Sequence, residues 1–297
     1  MITLALGTAN SAGVVPMALG GGLSPLASIT GTTSDNLVSA KIVTADGKLI
    51  TASPTSHPDL LYALRGAGQC FGVVTEITIQ AHPVSILGTL DGSVWTGMMI
   101  FPMTVADRVF EALSTLSQDT KAPTMAICII TTPPPSSETS LIVIPIFFGD
   151  AVDAEKFYQP LISLGPMSTC KNVPYPKIND AGDSFGVKGG FKRLSGVGLQ
   201  KLCPKTWMQV AARYEELKTK FPDAITSGYA VAYNMRGTRH ANDDTAFSHH
   251  QVKVWGVRVT FCSRNCDVSL TVQTFRSSSP GIRTQLLMTQ YLKQSRK

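Results

Sequence analysis

Residues 37–53 read LVSAKIVTADGKLITAS, two β-rich runs hinged on Asp46-Gly47. Asp-Gly accepts the left-handed backbone that tight hairpin turns need, so this stretch is predicted to fold back on itself as an antiparallel pair. A lone hairpin cannot hide its apolar face and needs a helix or another strand. The next residues supply both. Ser56-His57-Pro58-Asp59 places a capping serine, a first-turn proline and an acid three residues after the cap, which predicts a helix through Leu60, Leu61, Ala63 and Leu64. Gly66 and Gly68 stop it. Val73 to Ala81, VVTEITIQA, alternates apolar and polar residues into His82-Pro83 and reads as a strand. Upstream, Gly20-Gly21-Gly22 suits neither a helix nor a strand interior and predicts a tight loop where the backbone approaches another group. Met1 to Leu19 is apolar and small, lacks the charged region of a secretory leader, and is interrupted by Gly7, Gly13 and Pro16. It is expected to be a strand or loop, entered so abruptly that an upstream half is expected to precede it.

After Val84 the composition shifts, and a boundary is expected near residues 83 to 100, dividing the chain into units 1–90 and 91–297. Thr104 to Ser117 is predicted helical, with Thr104 and Asp107 at capping-box spacing. Met125 to Thr131 and Leu141 to Phe148 are apolar strand candidates on either side of Pro133-Pro134-Pro135. Helices follow from Asp153 to Leu164 and from Thr206 to Lys220, the latter with Val210, Tyr214 and Leu217 on one face. Ser227 to Tyr233 and Val252 to Cys262 read as strands. Strand pairs separated by helices predict an α+β fold with antiparallel pairing. Beyond Cys266 the tail is rich in Ser, Thr, Gln and Arg; Val268 to Phe275 has strand character before Ser277-Ser278-Ser279-Pro280-Gly281 breaks the pattern.

Composition narrows the function classes. With 43% hydrophobic and 15% charged residues over 297 positions, the chain can bury a large core and is not a disordered protein. It has no run long enough for a membrane-spanning helix. The net charge of +6 comes from scattered Lys and Arg, so no nucleic-acid footprint is expected. Cys70, Cys128, Cys170, Cys203, Cys262 and Cys266 form no C-x-x-C pair, and no metal site is expected. Cys128 lies in an apolar run and reads as a buried thiol.

Gly66-Ala67-Gly68-Gln69-Cys70-Phe71-Gly72 superficially matches a dinucleotide fingerprint. Its third glycine comes one residue late, and it leads from helix to strand, whereas a Rossmann loop leads from strand to helix. That fold is excluded. His57 and His82 precede prolines at element boundaries and read as structural. His249-His250 reads as a solvated turn that alternatively faces a pocket, and Tyr175, Asp180 and Lys188 fall in a loop-rich stretch.

The order of the pieces is more specific than any one of them. G-G-G-L, T-T-S-D-N-L-V-S-A-K-I-V-T-A-D-G-K-L, H-P-D-L-L-Y-A-L-R-G-A-G, F-G-V-V-T-E-I-T-I and H-P-V follow one another over residues 7 to 84. This resembles the second half of the FAD-binding domain of the vanillyl-alcohol-oxidase/PCMH superfamily, with the berberine-bridge-enzyme-like FAD-linked oxidoreductases as the nearest branch. Residues 101–261 are compatible with that family's substrate domain, and Asp244-Thr245-Ala246-Phe247-Ser248-His249 and Lys188-Gly189-Gly190-Phe191 resemble pieces of it. The resemblance implies a partial PCMH-type FAD-binding subdomain beside an α+β substrate domain with an antiparallel sheet. It implies FAD contacts from Gly13, Val14, Gly20, Gly21 and Gly22, from the backbone of Gly72, Val73 and Val74, and from Asp35, which with Asn36 is also read as holding a turn.

There are departures from the family pattern. The family's Arg-Ser-Gly-Gly-His segment, which carries the pyrophosphate loop and often a flavin-linked histidine, has no counterpart. Ala9 stands about where some members carry a cysteine link, so that link is excluded, and Cys70 stands where Asn is usual. The family's C-terminal flavin-covering stretch is not recognised in the last thirty residues. The resemblance implies hydride transfer from a small organic substrate of secondary metabolism to FAD, with reoxidation by dioxygen. The alternative is a truncated, non-catalytic remnant of such an enzyme that does not hold FAD stably. The residues designate no catalytic base, oligomeric state or compartment.

Overall fold

A computed structural model describes residues 2–119, 124–133, 135–185, 191–199, 201–222, 227–234, 244–262 and 286–287. Lys188, Gly189, Gly190, His240, Cys266 and the stretch from Val268 to Gly281 lie outside the described residues.

A two-residue strand, β1 (Ile2–Thr3), precedes helices α1 (Val14–Leu19) and α2 (Ala27–Thr30). The segment expected to be strand or loop therefore contains a helix, started by Gly13 and carrying Pro16 in its first turns, where the missing N–H of proline does no harm. Strands β2 (Leu37–Val43) and β3 (Leu49–Ala52) form the hairpin. Its turn is a short loop in which Gly47, at φ 79°, takes the left-handed position while Gly47 N–H bonds Thr44 O. Helix α3 (Pro58–Ala67) starts at His57 rather than Ser56: His57 is the N-cap, at φ 52°, and no side chain caps the helix. The Ser56 hydroxyl contacts the His57 ring instead. Helical geometry breaks at Arg65 and at Gly66, whose φ is 117°. Strand β4 (Val73–Ile79) completes a sheet in the order β3-β2-β4, and β5 (His82–Pro83) pairs with β1. Leu19, Leu37, Ala40, Ile42, Ala52, Leu61 and Leu64 pack between this sheet and helices α1 and α3.

The larger sheet begins with β6 (Ser93–Thr96) and β7 (Met99–Pro102). These keep one register against β9 on either side of Gly97, whose φ of 156° bends the strand where a Cβ would meet the Cys170 backbone. Helix α4 (Ala106–Leu116) follows a 3-10 turn; its N-cap is Val105, with no side-chain bond, so the Thr104/Asp107 capping box does not form. Strands β8 (Thr124–Thr131) and β9 (Ser140–Phe147) pair along their whole length. Helices α5 (Ala151–Phe157) and α6 (Gln159–Ile162) replace the single helix expected there, with the Asp150 side chain capping α5. Then come β10 (Met167–Ser168), β11 (Lys171–Pro174), β12 (Phe191–Leu199), α7 (Pro204–Lys220), β13 (Gly228–Asn234), β14 (Val254–Cys262) and β15 (Leu286–Leu287). The main path runs β10-β7-β9-β8-β13-β14-β12-β15, all antiparallel, with β6 against β9 and β11 against β6.

Alternation along β8 sorts the two faces. Ala126, Cys128 and Ile130 pack in the core that includes Phe110 of α4, Leu161 of α6 and Trp207, Val210 and Tyr214 of α7. Met125 points to the other face, where Leu26, Leu87, Val94, Ile146, Phe148 and Ile178 close over it. Leu26 immediately precedes α2, so the N-terminal portion packs directly against the large sheet. Among the described residues no helix is long and apolar enough to cross a membrane.

Candidate functional site

Two of the three consecutive glycines adopt left-handed backbone, Gly21 at φ 103° and Gly22 at φ 77°. A Cβ on Gly21 would stand 2.3 Å from the Phe247 ring, and one on Gly22 would stand 2.7 Å from Thr33. Gly66 is similarly crowded: its Cβ would lie 2.6 Å from the backbone nitrogen of Phe247. The close approach that Gly21 and Gly66 allow is thus to segment 244–250, whereas Gly22 makes room for Thr33. Gly20 ends α1 and is exposed; Gly13 and Val14 open α1 and are exposed too.

Segment 244–250 is bonded down. The Arg65 guanidinium donates to Leu37 O from Nε and Nη2 at 3.0 and 2.8 Å, and from Nη1 to Asp244 O and Oδ2 at 3.0 and 3.1 Å. Burial pulls the Arg65 pKa below its ordinary value, opposed by the charges of Asp244 and Asp35. Thr245 donates to Arg65 O at 2.8 Å, and Ala246 N–H to Tyr62 O at 3.2 Å. His250 Nε2 donates to Asp35 Oδ1 and Oδ2 at 3.0 and 3.1 Å. The Asp35 carboxylate also accepts from Thr32 N–H and Oγ1 at 2.7 and 2.8 Å. Its side chain has 0% exposure and that of His250 8%. Asp35 therefore holds a turn and a distant histidine, and presents no oxygen to solvent. Asn36 fixes the same turn by donating to Thr30 O and Thr32 O, and His82 Nε2 pairs with Asn36 Oδ1 at 2.6 Å. Burial lowers the His82 pKa.

Phe247, Ser248, His250 and Gln251 line an open cleft of about 390 Å³. Phe247 meets His249 and His250 edge-on, at centroid distances of 5.6 and 5.1 Å, and His249 meets Trp255 at 6.1 Å. The Trp255 Nε1 donor is buried without a hydrogen-bond partner. No group of three metal-ligating side chains occurs among the described residues.

Apart from Gly13 and Val14 at the start of α1, the expected site residues fall into two groups. Gly20, Gly21, Gly22 and Asp35 gather at the Leu37 end of β2, because Ser34 N–H and Thr33 N–H bond Gly21 O and Gly22 O. Gly72, Val73 and Val74 lie at the other end, where Val73 opposes Val43 and Val74 opposes Ile42. Strand rise puts the two groups roughly 20 Å apart. Gly72 passes so close to Val43 that a Cβ would lie 2.3 Å from its carbonyl oxygen, while Val73 is 69% exposed.

Of the two readings of His249-His250, the one facing a pocket fits His250, which is buried and lines the cleft, and the solvated turn does not. Arg65 was not singled out; a lone arginine at a helix end carries no sequence signal of its target. Asp180 and Asp183 accept from Asn10 Nδ2 at 3.2 and 2.9 Å, and the Tyr175 hydroxyl, pushed up in pKa by burial, donates to Leu4 O, so both stretches brace the N-terminal segment.

No protein-family model matches the chain. The FAD-linked oxidoreductase hasG of Aspergillus fumigatus is 28% identical over 255 residues, covering 82% of this chain and 52% of that protein. The FAD-linked oxidoreductase alt4 of Alternaria solani is 34% identical over 243 residues, covering 77% and 49%. Among solved structures, the berberine-bridge-enzyme-like protein 1 of Physcomitrella patens superposes with a TM-score of 0.71 at 16% identity, covering 89% of this chain and 58% of that one. The chain spans about half the length of the relatives it matches. Over that half, it is homologous to the FAD-linked oxidoreductases and has the fold of the berberine-bridge-enzyme-like, VAO/PCMH-type flavoproteins.

Proposed function

We propose that this chain acts as an FAD-linked oxidoreductase on a small organic substrate, with dioxygen as the electron acceptor. The observation that carries the reading is the meeting of Gly21, Gly66 and Phe247 beside the cleft. The residues fit the ring end of the cofactor. A cleft of about 390 Å³ suits a small-molecule ring system, its wall combines an aromatic ring with polar side chains, and the aromatic cluster holds an orphaned indole donor. FAD, when bound, supplies the redox chemistry by accepting a hydride from the substrate. Phe247 then walls the ring, the amides of the glycine turn meet cofactor oxygens without adding charge, and the exposed start of β4 at Gly72–Val74 offers backbone groups some distance along the sheet. The relatives named FAD-linked oxidoreductases include proteins of Aspergillus and Alternaria, and the proposal places the reaction in secondary metabolism. The proposed division of labour is 1–90 for the cofactor and 91–297 for the substrate, with segment 244–250 reaching back across it.

Titration of the purified full chain with FAD tests this. Flavin fluorescence is expected to quench saturably, and the protein to stay yellow through gel filtration. Protein that leaves the column colourless after incubation with excess FAD would overturn the reading.

A further inference from the structure

We infer that the Asp35–His250 pair is the positioning element of the glycine turn, so that nucleotide binding at Gly20–Gly22 depends on a histidine 215 positions away from the aspartate it holds. The inference rests on the proposed FAD site and adds to it the residues that set its geometry. The chain of bonds is continuous. His250 Nε2 grips both Asp35 oxygens, and Asp35 grips Thr32 through Thr32 N–H and Oγ1. Thr32 Oγ1 accepts from Asp35 N–H at 3.3 Å and lies 2.9 Å from Ser34 Oγ. The two residues after Thr32 donate N–H groups to the glycine turn, Thr33 to Gly22 O at 2.9 Å and Ser34 to Gly21 O at 2.8 Å.

Planarity turns these bonds into a constraint on donors. The carbonyl of Gly21 shares a rigid plane with the N–H of Gly22, and the carbonyl of Gly22 shares one with the N–H of Leu23. In a trans peptide the two groups point in opposite directions. Holding both carbonyls toward Thr33 and Ser34 therefore holds both N–H groups pointing away from Thr33 and Ser34. Glycine at positive φ has no side-chain sterics to do this, so the orientation must come from the bonds. The pair is also placed to be consequential. Both side chains are almost fully removed from solvent, so removing either takes a hydrogen-bond partner from a buried polar group. Phe247, three residues before His250, occupies the space over Gly21, so one segment fixes the turn from two sides.

The test measures FAD dissociation constants of the full chain by flavin fluorescence, for wild type, Asp35→Ala, His250→Ala and the double variant, with thermal melts alongside. Each single variant is expected to weaken FAD binding at least about tenfold, the loss associated with a hydrogen bond to a charged group. The double variant is expected to be little worse than either single one, because both cut the same chain. His250→Asn, which keeps an N–H donor, is expected to recover much of the affinity, and it serves as the folded comparison if the alanine variants do not fold. Unchanged affinity in the single variants, or losses that simply multiply, would overturn the inference. If wild type itself takes up no FAD, the proposed function fails and the inference is decided by amide hydrogen exchange. Faster exchange in His250→Ala or Asp35→Ala than in wild type and His250→Asn at Thr33 and Ser34, whose N–H groups hold the Gly22 and Gly21 carbonyls, supports it; equal exchange in all of them overturns it.

Discussion

At the scale of single residues, the glycines separate by what surrounds them. Gly47 and Gly21 both have positive φ, but a Cβ on Gly47 meets nothing within 4 Å, while one on Gly21 runs into the Phe247 ring. Gly47→Ala is therefore expected to cost only the left-handed backbone strain, about 1 kcal/mol. Gly21→Ala adds overlap with a packed ring and is expected to cost about 2–4 kcal/mol in urea unfolding. Phe247→Ala should recover part of the loss at Gly21, since the obstacle there is a side chain. It should not recover the loss from Gly66→Ala, where the obstacle is Phe247 backbone. Equal rescue at both positions would show that segment 244–250 does not lie where it is described. Three consecutive glycines in the sequence signalled a close approach. The group approached was not legible: the segment Asp244 to His249 stands out in the sequence, but nothing in it says that Phe247 lies against Gly21.

At the scale of elements, period and punctuation carried the expectations that hold. The alternating run at β4, the hairpin around Gly47 and the buried stripe of α7 all follow from side-chain direction along a strand or helix. Helix starts were less legible. Ser56 and Thr104 have the right chemistry for caps, yet α3 and α4 begin at His57 and Val105 with no side-chain cap, because Pro58 and a preceding 3-10 turn set the entry. Burial rather than capping stabilises α4: Ala106, Val109, Phe110 and Leu113 are fully buried, and Phe110 stacks on Trp207 of α7 at 6.3 Å. Phe110→Ala is expected to lower the unfolding free energy by about 3–5 kcal/mol, whereas Asp107→Ala, on the exposed side, is expected to change it by less than about 1 kcal/mol. A denaturant titration of both variants checks the contrast.

At the scale of the whole molecule, Arg65 joins the two ends of the described chain. Its bonds divide unequally between a buried carbonyl and a partly exposed acid, since the Asp244 side chain is 58% exposed. Solvent screens the ion pair, so its share is small, while the Leu37 carbonyl would be left without its arginine donor. Arg65→Met is therefore expected to cost about 1–3 kcal/mol, and Asp244→Asn less than about 1 kcal/mol, by thermal or urea unfolding. A larger loss from Asp244→Asn would mean that the ion pair, not the carbonyl, dominates. The bend at Gly97 and the pairing of β6 and β7 with β9 belong to this scale too. Residues 93–102 have no clean alternation, so their strands became visible only once β9 stood opposite them.

The local order of this protein was written in its residues: the hairpin, the helix that Gly66 breaks, the strand at Val73 and the paired apolar strands β8 and β9. Backbone preference and apolar period act over a few positions, and those suffice for such elements. The partnership of Asp35 with His250, the wedge of Phe247 over Gly21 and the spread of the expected contacts to both ends of β2 arose only from the folded chain. They depend on segment 244–250 docking on the turn at 32–36 and on the end of α3, and no preference of a residue for its sequence neighbours reaches across 215 positions.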